Sequence, residues 1–81
     1  MKIYDYNGRK NLSGNNIKIA RQRARISQTE LAVKLQNEGV TIERDSISRI
    51  ESGKRLVTDY ELVLIAKVLN IPILTLLNGE L

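Results

Sequence analysis

Apolar residues recur along this chain at helical spacing, and turn residues separate one recurrence from the next. Ile17, Ala20, Arg21 and Ala24 stand at i, i+3, i+4 and i+7. They mark one face of a helix expected from about Gly14 to Arg25, with Ser13 as its N-cap. An arginine within that face is unusual. Leu31, Ala32 and Leu35 form the stripe of a second helix. It opens on the capping box Ser27-Gln28-Thr29-Glu30 and should end before Gly39, the residue suited to a left-handed helix stop. A third helix is expected within ERDSISRIESG, residues 43–53. Ile47, Ile50, Ser46 and Glu51 fall on one side of it, and Arg44, Asp45, Ser48 and Arg49 on the other. Gly53 stops it. A second capping box, Thr58-Asp59-Tyr60-Glu61, starts a fourth helix whose stripe is Leu62, Ile65, Ala66 and Leu69, with Asn70 as its cap. Pro72 permits only a helix start, so a short fifth helix carries Ile73, Leu74, Leu76 and Leu77.

Residues 1–13 lack a helical period. KIYDY alternates polar and apolar residues, and NGRKNLSG is turn chemistry. The expected organisation is an N-terminal arm, 1–13, and one all-α domain, 14–81. It reads as a compact five-helix bundle with short connections.

Composition narrows the chemistry. With 42% hydrophobic residues but no Phe and no Trp, the core must be aliphatic. No cysteine means no disulfide framework and no thiolate metal site. No histidine removes the commonest general base and metal ligand. NGRKNLSGNN is not a phosphate-binding loop. No enzyme, cofactor or metal site is therefore expected, and nothing points to a small-molecule effector. No apolar run approaches the roughly 18 residues that span a membrane. The N-terminus lacks the apolar stretch of a signal peptide. A reducing cytoplasm is the compartment that fits.

The formal charge of +4 is unevenly spread. Residues 1–25 hold seven basic groups against Asp5 alone, and residues 26–81 hold six basic against eight acidic. A positive field confined to the arm and first helix suggests a polyanion partner. A soluble protein with one basic end is the plainer alternative.

The second helix, a connection and the third helix are the parts of a helix-turn-helix. SQTELAVKL followed by SISRIESGKR resembles the lambda-type repressor and Cro family, also called XRE-like. The matching frame is Gln28, Leu31-Ala32 and Leu35, then Ile47-Ser48-Arg49-Ile50-Glu51 and Gly53. IAKVLNIPILTLL resembles the family's closing helices. The resemblance covers about residues 15–78. It implies a five-helix domain that binds double-stranded operator DNA, usually as a homodimer, with the third helix in the major groove.

Carried over by position, Arg44, Asp45, Ser48 and Arg49 match the family's base-reading positions. An arginine paired to guanine O6 and N7 supplies roughly 1–3 kcal/mol of discrimination. Ser27 and Gln28 match the second helix's anchor on the DNA backbone. Lys54 and Arg55 match a loop that grips phosphate. The resemblance also pairs Arg21 with Glu51 as an ion pair between the first and third helices, and both lie at the edges of apolar faces. The expected function is transcriptional regulation, by repression, in a prokaryote or phage.

This chain departs from the family in its turn. Eleven residues, 36–46, separate Leu35 from Ile47, more than the family's short connection. A longer second helix is expected to take up some of them. The helix-to-helix geometry then rests on Val40 and Ile42 packing inward. Glu43 stands where the family often has a serine or threonine cap.

Alternatives attend several residues. The polar face of the third helix is equally the pattern of a solvated surface. Arg9 and Lys10 suit a minor-groove arm or a loosely ordered terminus. Tyr4 and Tyr6 suit stacking on bases, or covering the core edge or a dimer seam. Leu74, Leu76, Leu77 and Leu81 exceed what one short helix buries alone, which suggests self-association. A functional rival is a protein-binding adaptor of the same fold, such as an antitoxin or anti-repressor partner, working through that leucine-rich end.

Overall fold

The computed structural model describes residues 5–81; Tyr4 and the first part of the KIYDY alternation lie outside the described residues. Five helices follow in order: α1 Gly14–Arg23, α2 Gln28–Asn37, α3 Arg44–Glu51, α4 Asp59–Leu69 and α5 Ile73–Asn78. The fold is all-α, as the pattern predicts. α1 packs on α3, α4 and α5, α2 packs on α3 and α4, and α4 packs on α5. Ile17, Leu31, Leu35, Ile42, Ile47, Ile50, Ile65 and Leu76 are fully enclosed where these helices meet. Burying each such side chain contributes roughly 1.5–3 kcal/mol, so an aliphatic core suffices without Phe or Trp.

Both capping boxes form. Ser27 accepts from the Glu30 N–H at 3.0 Å while the Ser27 N–H donates to Glu30 Oε1 at 2.9 Å. Thr58 and Glu61 exchange the same pair of bonds.

The helix ends share one device. After α1, α2, α3 and α4 the chain turns through a single left-handed residue: Arg25, Gly39, Gly53 and Asn70. In each case the next N–H reaches back to a carbonyl five residues earlier: Ile26 to Arg21, Val40 to Leu35, Lys54 to Arg49, Ile71 to Ala66. These bonds are the mark of a Schellman stop.

Two expectations at α1 are corrected. Ser13 is helical in backbone and buried, and its side chain caps nothing. Asn11 does this instead, accepting from the Gly14 N–H at 2.7 Å. The far end stops at Arg23, because Arg25 has turned left-handed with φ +59°. Ala24, assigned to the apolar face, is consequently exposed.

The long connection between α2 and α3 is anchored as expected by Val40 and Ile42, both buried. It has a further tie: Gln36 Nε2 donates to the Ile42 carbonyl at 2.7 Å. Lys67 of α4 meets Glu38 at 2.7 Å and holds the start of the same connection from outside. At the C-terminal end, Leu76 is buried and Leu81 packs against the core, leaving Ile73 and Leu74 exposed. Much of the apparent leucine excess is therefore core.

Candidate nucleic-acid interface

α3 owes its orientation to what lies behind it. Ile47, Ile50 and Glu51 are buried, whereas Arg44, Asp45 and Arg49 are exposed and Ser48 is half-buried. The two faces divide as the helical wheel predicts. Glu43 occupies the N-cap position in extended conformation without a side-chain bond. Arg44 Nη1 lies 3.2 Å from Asp45 Oδ1, both side chains open to solvent. An exposed pair of this kind holds its partners only weakly, so both remain available to a ligand.

Behind the helix lies a polar cluster that binds three elements. Arg21 of α1 approaches Glu51 with both Nε and Nη2, at 2.7 and 3.0 Å. Its Nη1 donates to the Ile26 carbonyl at 2.9 Å. Glu51 Oε1 also accepts from Gln28 Nε2 at 3.0 Å. The hydrogen bond to Glu51 raises the Arg21 pKa further above its ordinary value. Gln28, assigned to the DNA backbone, is thus also a bracket between the start of α2 and the end of α3. One amide proton serves Glu51, and its second proton and oxygen remain for other partners.

Arg55, expected on the DNA backbone, has an internal partner that the sequence did not show. Its Nη1 and Nη2 donate to the two oxygens of the buried Glu61 carboxylate at 3.0 and 2.9 Å. Nη1 also donates to the Leu56 carbonyl. The capping box was legible in sequence; that its glutamate also captures Arg55 was not, since the pair spans a loop and a helix start. Lys54 and Ser27 are exposed, Lys54 just beyond the end of α3 and Ser27 at the head of α2.

Neither expectation for Arg9 matches its position. The guanidinium crosses between α1 and α3, and Nη2 donates to the Glu51 carbonyl at 2.9 Å. Its side chain lies where a Cβ on Gly53 would stand, 2.7 Å from Cζ. Asn11 Nδ2 donates to the carbonyls of Ile50 and Arg55, both at 2.8 Å. The Lys10 N–H donates to the Gly53 carbonyl at 2.8 Å. Residues 9–11 therefore form a strap over the C-terminal carbonyls of α3, where a cation and donors complement the helix dipole. The only hint in sequence was the Asn and Arg beside turn residues.

A family model described as helix-turn-helix matches residues 17–76, from α1 into α5. No curated protein and no solved structure matches the chain significantly.

Proposed function

Since the chain belongs to the lambda-repressor-like helix-turn-helix family of DNA-binding regulators, we propose that it is a sequence-specific repressor binding a two-fold operator as a homodimer. The supporting observation is the exposed polar face of α3, which carries Arg44, Asp45, Ser48 and Arg49 on a helix fixed from behind by Ile47, Ile50 and Glu51. In the major groove, the arginines would donate to guanine O6 and N7, and Asp45 would accept from cytosine N4. Ser27, Gln28 and Lys54 would meet backbone phosphates and fix the register. Arg55 would support that loop through Glu61 rather than touch DNA. Two copies one helical turn apart would read both half-sites and occlude polymerase.

Selection from random duplex DNA tests this reading. The expected result is an enriched palindrome whose affinity falls with salt. Weak binding that is salt-sensitive but enriches no sequence would reject it. In that event the adaptor reading takes its place, and Ile73 with Leu74 is the surface to examine. Arg49→Ala separates the two: DNA affinity should fall while any protein partner is retained.

A further inference from the structure

A cleft of about 320 Å³ opens at the end of α3, lined by Lys10, Arg49, Lys54, Arg55, Leu56 and Thr58. Four cations line it and no acidic residue does. Arg55 is neutralised by Glu61. Lys10, Arg49 and Lys54 have no acidic partner within 4 Å among the described residues, whereas Arg21, Arg44, Arg55 and Lys67 each have one. The three come from separate segments: the strap, α3 and the loop after it. The backbone holds them together, because the Lys10 N–H binds the Gly53 carbonyl and the Lys54 N–H binds the Arg49 carbonyl, both at 2.8 Å. Converging like charges repel one another and destabilise the free protein. A bound anion would remove that penalty.

We propose that Lys10, Arg49 and Lys54 together seat one backbone phosphate of duplex DNA. The reading rests on the DNA-binding function proposed above and adds a residue to it. Lys10 belongs to the arm, yet the strap carries it to the phosphate line beside α3 and not into a groove. The cleft adjoins the exposed face of α3, and Arg49 contributes to both, so a phosphodiester flanking the contacted bases is the anion within reach. Arg9 and Asn11 place Lys10 without touching the ligand.

The experiment measures binding of a selected duplex across salt concentrations for the wild type, Lys10→Ala and Lys10→Arg. Lys10→Ala should weaken binding severalfold and equally for all sequences. It should also make the dependence of log affinity on log salt shallower by about one. Its melting temperature should hold or rise slightly, because one of the repelling charges is gone, and Lys10→Arg should restore both affinity and slope. Unchanged affinity and slope in Lys10→Ala, with wild-type binding intact, would overturn the phosphate seat alone. Wild-type protein that binds no duplex would overturn the DNA-binding reading as well. Competition by inorganic phosphate at millimolar concentration would show that the cleft takes a free anion, and would overturn its assignment to a phosphodiester.

Discussion

Arg9 caps the helix proposed to read DNA: its Nη2 donates to the Glu51 carbonyl at 2.9 Å, across 42 residues of sequence. The contact requires a bare backbone at Gly53, whose φ is +79° and whose missing Cβ leaves room for the arginine side chain. Gly53→Ala should therefore fail twice, by forcing a left-handed alanine and by displacing Arg9. The backbone penalty alone is about 1–2 kcal/mol. The melting temperature should drop by roughly 4–8 °C for each kcal/mol lost. Arg9→Ala should cost about 1–2 kcal/mol, since a charged hydrogen bond to a helix end is lost. An Arg9→Ala protein that melts like the wild type would remove the strap's structural role.

Arg21 and Glu51 present a harsher case. Their side chains are 11% and 3% exposed. Arg21→Ala leaves a buried carboxylate with only Gln28 as side-chain donor. Removing one partner of such a pair costs about 3–5 kcal/mol, a large share of the stability of so small a domain. Replacing both, as Arg21→Met with Glu51→Met, should be far milder, because no charge is then stranded. Thermal melting of the two single variants and the double gives the coupling. Additive losses would show that the pair does not act as a unit.

What could be read before folding follows from range. Capping boxes at Ser27 and Thr58, and stripes such as Leu31-Ala32-Leu35, are set within one or two helical turns, and the structure repeats them. The paired faces of α3 were legible for the same reason. The strap was not, because Arg9 and Asn11 bind main-chain carbonyls of residues 50, 51 and 55. A carbonyl has no residue type, so no complementary side chain signals the contact. The partner of Arg55 was hidden for a related reason: a cation after α3 suits a phosphate, and only tertiary structure puts Glu61 within 2.9 Å.

Arg25 offers a gain. It stops α1 at φ +59°, a position that Gly39 and Gly53 fill after α2 and α3. A left-handed non-glycine residue costs roughly 1–2 kcal/mol. Glycine would relieve this and give back about 0.5–1 kcal/mol through a freer unfolded chain. Arg25→Gly should therefore stabilise by about 0.5–1 kcal/mol, raising the melting temperature by several degrees. A lower melting temperature would mean that the arginine side chain contributes more than its backbone costs. Binding of a selected duplex by the same variant would report whether that contribution also serves DNA.

Glu61 sets an acid limit on stability. Burial drives its pKa up, but hydrogen bonds from Arg55 and Thr58 outweigh this and hold it below the ordinary glutamate value. The unfolded chain therefore takes up the proton first as pH falls. The stabilisation from Glu61 is complete above the unfolded value of about 4.3 and drains away as pH descends through the lower folded value. Glu30, lowered by the Ser27 backbone hydrogen bond, is shifted in the same direction at the surface. Comparison with Glu61→Gln isolates the buried group. That variant should melt lower than wild type at neutral pH, and the gap should narrow below about pH 4 as the native carboxylate is neutralised. Melting curves of both proteins from about pH 7 to about pH 3 decide it. A gap of constant size would mean that neither Arg55 nor the Thr58 N–H favours the charged carboxylate, and that Glu61 stabilises the fold equally well when protonated.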